Sequence, residues 1–89
     1  MNKEDINLAV LRLLAPAAPA ALTLNSIVEA IAPDDLMART RISDTLSGYT
    51  VKKYLRQHHS AAMGVSCWAI TESGIRVLSA WEDRLSASS

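Results

Sequence analysis

An α+β domain made mainly of helix is what this sequence predicts, and three observations carry it. Apolar residues recur at helical spacing through the N-terminal half and again from Gly74 to Leu85. Between these stretches, from Tyr49 to Thr71, the residue types change to β-branched and aromatic ones in loose alternation. Proline and glycine punctuate the junctions: Pro16, Pro19 and Pro33 follow helical stretches, and Gly48 weakens the end of another.

The first helix is expected from about Lys3 to Ala15. Glu4 and Asp5 lie in its first turn, where the helix dipole favours negative charge, and Ile6, Ala9, Val10, Leu13 and Leu14 form its apolar face. Pro16 and Pro19 stop it, leaving APAAPAALT as an irregular connection. Thr23-Leu24-Asn25-Ser26 announces a second helix, with Asn25 or Ser26 as its cap and Leu24 as a staple; it buries Ile27, Val28 and Ile31 and ends near Ala32. A third starts between Asp35 and Thr40, turns Leu36, Ile42, Leu46 and Tyr49 inward, and ends near Gly48. TVKKYLRQ and VSCWAIT then read as the strands of an antiparallel hairpin, with HHSAAMG as its tip; a helix over TVKKYLRQHH is the competing reading. The closing helix carries a stripe of Ile75, Leu78, Trp81 and Leu85, and residues 86–89 are expected to fray.

Eighty-nine residues make one domain, 1–89, with a modest core. Nearly half are apolar and none is Phe, so Leu, Ile, Val, Trp and Tyr must fill that core. A single cysteine, Cys67, cannot form an internal disulfide and fits a reducing compartment better than secretion. No apolar run approaches the roughly 20 residues that span a bilayer. Glu4 and Asp5 stand where a secretion leader would be basic, and Arg12 interrupts the apolar stretch. A cytoplasmic location and no membrane partner are the expectation.

Three helices, a hairpin and a further helix is the order of the winged helix-turn-helix family, which the chain resembles along nearly its whole length. LNSIVEAIA is similar to the first helix of the turn motif and TRISDTLSGY to the recognition helix. CWAITESG resembles the closing wing strand, with a Thr-x-x-Gly step into the last helix. Between the two motif helices, APDDLMART is longer than the tight turn of the simplest members. The resemblance implies a recognition helix in the DNA major groove, a two-stranded wing on phosphates, and transcriptional regulation. Trp68 and Ile70 would pin the wing to the core, and Thr71 would cap its exit.

Charge placement points the same way. Nine basic residues balance nine acidic ones over the chain. Residues 39–56, however, hold Arg39, Arg41, Lys52, Lys53 and Arg56 against Asp44 alone, five positive charges less one negative. Duplex DNA requires such a footprint, because neutralised phosphates release counterions. On the third helix Thr40, Arg41, Ser43, Asp44 and Ser47 lie at the start or off the Ile42/Leu46 face. Arg41 suits a bidentate base contact and Arg39 a phosphate contact from the preceding turn. Lys52, Lys53 and Arg56 suit phosphates, and His58 and His59 at the tip add charge when protonated. The bland counterpart is a solvated helix face.

Other chemistries find little support. Neighbouring strand residues such as His58 and His59 point apart, and Cys67 lacks a Cys-x-x-Cys partner, so no metal site is expected. Cys67 has no evident activating base, and no phosphate-cradling glycine loop or carboxylate pair stands out. Neither an enzyme nor a cofactor is expected. Leu8 and Leu11 on the first helix, with Val77 and Trp81 on the last, suggest surplus apolar surface for a symmetric homodimer. The alternative function is a protein-docking winged helix that binds no DNA.

Overall fold

The computed structural model describes residues 2–87. They form α1 (Lys3–Ala17), β1 (Leu22–Thr23), α2 (Leu24–Ile31), α3 (Leu36–Val51), β2 (Leu55–Ser60), β3 (Val65–Ile70) and α4 (Glu72–Ala87). The class is α+β and mainly helical. The sheet has three strands, not two, in the antiparallel order β1-β3-β2. β1 pairs Leu22 with Trp68 and Thr23 with Cys67; two residues are too short to show alternation in a sequence.

Each helix begins on a side-chain cap. Asn2 accepts from the Asp5 N–H (2.8 Å), Thr23 from Ser26 (3.1 Å), Asp35 from Met37 and Ala38 (3.0 and 3.1 Å), and Thr71 from Gly74 (3.1 Å). These bonds satisfy amides that have no partner inside the helix. They also correct two expectations. The cap of α2 is Thr23, upstream of Asn25 and Ser26. Because Asp35 caps α3, the connection between α2 and α3 is only residues 32–35, far shorter than APDDLMART.

The core joins Ile6, Val10, Leu11 and Leu14 of α1 to Ile27 and Val28 of α2, Ala38, Ile42 and Leu46 of α3, Leu55 of β2 and Ile70 of β3. α1 packs against α2, α3, α4 and β3, so its buried arc is wider than a one-sided stripe and shifts onto Leu11, with Ala9 and Leu13 only half-buried. Leu11 is 0% exposed, a core residue and not a dimer surface. Val77 and Trp81, expected on the same surface, pack partly buried against that core, and Leu8 is half-buried. Leu36 is not inward. The stripe of α3 is Ala38, Ile42, Thr45 and Leu46 at three- and four-residue steps, and Leu36 falls off it. On α4, Ile75 and Leu85 are exposed, while Gly74, Val77, Leu78 and Trp81 face inward.

Two helix ends run further than expected. Pro16 lies in the last turn of α1 without breaking it, and the helix closes when the Ala18 N–H donates to the Ala15 carbonyl (3.2 Å). α4 continues through Ser86 and Ala87; positions 88 and 89 of the expected frayed tail lie outside the described residues.

The end of α3 decides how the hairpin begins. The Tyr54 N–H donates to the Tyr49 carbonyl (2.9 Å) and the Lys53 N–H to the Thr50 carbonyl (3.1 Å), the paired bonds of a Schellman stop. The apolar contact that accompanies such stops is the Tyr49–Tyr54 edge-to-face pair, with centroids 5.5 Å apart. Tyr49, Thr50 and Val51 are therefore helix, Lys52 and Lys53 a turn, and the strand starts at Leu55. Both readings of residues 50–59 hold in part. Six ladder pairs, from Leu55↔Ile70 to Ser60↔Val65, draw His58 and His59 into β2, so the tip is only residues 61–64. Gly64, at φ 65°, supplies the left-handed residue that closes this tip, and its N–H donates to the Ser60 carbonyl (2.7 Å).

Lys53 occupies the left-handed position of the Schellman stop at φ 66°, where glycine is usual. An L-residue there is strained by roughly 1–2 kcal/mol, of which glycine's greater unfolded-state freedom offsets about half. Lys53→Gly should therefore stabilise the fold by about 0.5–1 kcal/mol in urea titration. A loss of stability would mean that the Lys53 stem packs usefully in this turn.

The strand-to-helix step explains CWAITESG. The Thr71 N–H donates to the Tyr54 carbonyl (3.0 Å), and the Thr71 hydroxyl lies within donating distance of the Lys53 and Tyr54 carbonyls (2.6 and 3.0 Å). A Cβ on Gly74 would collide with the same Tyr54 oxygen and with Ile70 Cγ1. Thr71 thus caps α4 and ties it to the turn after α3, and Gly74 lets the two approach. Ile70 is buried and Trp68 packs partly buried on the core, as expected of the strand that pins the hairpin.

Candidate nucleic-acid interface

With Ile42 and Leu46 fully buried, the opposite side of α3 is fixed. Thr40, Arg41, Asp44 and Ser47 are exposed on it and Ser43 is half-buried. Arg39 is exposed, but it belongs to α3 and not to a preceding turn. Its Nη2 donates to Asn25 Oδ1 (2.9 Å), which ties the flank of α3 to the first turn of α2. Arg41 lies on the other flank, towards α1.

Lys52 and Lys53 follow directly at the C-terminal end of α3, where the dipole favours cations, and both are exposed. Arg56, His58 and His59 are exposed in β2 and not at the tip. Alternation divides them. His59 shares a face with Leu55, while Arg56 and His58 share the other, where His58 stands opposite Cys67. Among the described residues, no three of His, Cys, Asp and Glu gather to hold a metal ion, and no helix is long and apolar enough to cross a membrane.

Several neighbours were not visible in the sequence. Leu36, Met37 and Val51 are 87%, 70% and 82% exposed along α3, and Met63 and Val65 are exposed at the end of the hairpin. A cleft of about 480 Å³ runs between α1 and α3, lined by Lys3, Asn7, Arg41, Asp44, Thr45, Gly48, Tyr49 and Lys52. The Thr45 hydroxyl donates to Asn7 Oδ1 (2.5 Å) and fixes the cleft floor. Burial, and secondarily Tyr54, raises the Tyr49 phenol from its ordinary value, which is already well above physiological pH.

Away from this surface, Arg12 donates to Glu82 through Nε (2.5 Å) and Nη2 (2.8 Å), joining α1 to α4. Those hydrogen bonds hold the Glu82 carboxyl below its usual value and raise Arg12. The Glu82 contribution is present above the ordinary carboxylate range and disappears as pH falls through the lowered value.

No family model, curated protein or solved structure matches this chain.

Proposed function

We propose that this is a winged helix-turn-helix protein that binds double-stranded DNA and regulates transcription, with α3 in the major groove and the turn and strand after it on phosphates. One observation carries the proposal. The five cations that make residues 39–56 basic are all exposed, two on α3, two in the Schellman turn that ends it and one at the start of β2. Lys52 and Lys53 owe their place to the helix stop, and Arg56 to the start of β2. The short connection of residues 32–35 between α2 and α3 also supports a turn-motif reading. Sequence-independent affinity would come from phosphate neutralisation, and sequence reading from Arg41, Ser43, Asp44 and Ser47.

The test is a triple variant, Lys52→Ala, Lys53→Ala and Arg56→Ala. Affinity should fall on every duplex alike, and the slope of log affinity against log salt should drop by about 0.9 for each phosphate no longer neutralised. An unchanged slope and affinity would remove the turn and hairpin from the interface.

A second reading is a docking domain for another protein. It is favoured by Leu36, Met37 and Val51, since large apolar residues this exposed along one helix suit an apolar partner. Duplex binding that weakens steeply with salt separates the two.

A further inference from the structure

We propose that the cleft between α1 and α3 is a binding site for a small phosphomonoester, a molecule ending in a dianionic phosphate. Three cations meet there from places distant in the chain: Lys3 from the first turn of α1, and Arg41 and Lys52 from α3 and its end. Against them stands Asp44, leaving a local excess of two positive charges. A phosphomonoester carries about −1.5 to −2 at neutral pH, which matches that excess. The donors match as well. Asn7 Oδ1 already accepts from Thr45, and the NH2 of the same amide is a group able to donate to an anion. The Tyr49 phenol is protonated at neutral pH and can donate, and burial raises it further. Gly48 has nothing within 4 Å of where a Cβ would lie, so a flat group can rest against the helix.

Size separates this ligand from the DNA backbone. The cleft's 480 Å³ falls in the range of about 300–1,000 Å³ typical of small-molecule sites. A backbone phosphodiester carries one charge and lies along a convex rod, whereas a terminal phosphate can descend between two helices. Arg41 belongs to both surfaces, so an occupied cleft would draw it away from a base edge. The site itself does not depend on DNA binding, and its test uses the protein alone.

That test is an amide-resolved NMR titration of the full chain at fixed ionic strength, with phenyl phosphate as the probe and dimethyl phosphate and chloride as comparisons. Phenyl phosphate should give saturable shifts at Asn7, Thr45, Gly48 and Tyr49. Dimethyl phosphate should bind at least about tenfold more weakly, as should phenyl phosphate to Lys3→Ala, each pairing lacking one charge-assisted hydrogen bond. Asp44→Asn should tighten binding several-fold by removing a repelling charge. Shifts that do not saturate, that are equal for monoester and diester, or that are unchanged in both Lys3→Ala and Lys52→Ala overturn the proposal.

Discussion

Gly74→Ala should destabilise the fold by about 2–4 kcal/mol, lowering the melting temperature by roughly 10 °C or more. Helix propensity alone points the other way, since alanine is favoured over glycine inside a helix by about 1 kcal/mol. Here the new methyl meets the Tyr54 carbonyl oxygen, which accepts from the Thr71 N–H and cannot yield as a side chain would. α4 must move off the turn, breaking the Thr71 hydrogen bonds at about 0.5–1.5 kcal/mol each. Gly48→Ala is the control, because its Cβ would meet nothing. It should stabilise by about 0.5–1 kcal/mol. Thermal melts of the two variants should therefore move in opposite directions. A shared direction would show that the close approach at Gly74 is not what sets its identity.

Arg41→Ala should weaken binding to a preferred duplex by about 1–3 kcal/mol and to scrambled duplex by much less. The distinction rests on geometry. Arg39 reaches back to Asn25 on the α2 side, and Arg41 stands on the other flank of the outward face of α3. Its guanidinium fork can pair with two acceptors on one guanine, so Arg41→Lys should keep phosphate attraction and lose base discrimination. The check is competition between selected and scrambled duplexes, with folding followed by circular dichroism. Equal losses on both duplexes would make Arg41 a backbone contact. No loss on either would favour the protein-docking reading.

How far the fold can be read from sequence varies with how local its causes are. The Ile42/Leu46 face of α3 and the burial of Ile27 and Val28 follow from four-residue and adjacent spacing within one helix. The end of α3 is less visible. Gly48 reads as the stop, yet the helix runs on to a Schellman turn that places a lysine where glycine is usual. The available signal is the spacing of Tyr49 and Tyr54, the two positions whose apolar contact closes such a stop. Missing it shifts the strand and puts His58 and His59 at the tip. Leu11 is misplaced for another reason: α1 is packed from several sides, so no single stripe describes it. The basic residues of α3 and the turn after it are legible as a run. Their meeting with Lys3 and Asn7 is not, because it exists only once α1 lies against α3.

Whether α3 and the segment after it form a DNA-binding surface is tested most directly by one titration. Duplexes selected by the full chain from a random pool would be bound at increasing salt, and log affinity plotted against log salt concentration. With four or five of the exposed cations of residues 39–56 on phosphates, four if Arg41 takes a base edge, a slope of about −3.6 to −4.5 is expected, from −0.9 for each phosphate neutralised. Failure to select any duplex at low salt, or an affinity that does not change with salt, would contradict it.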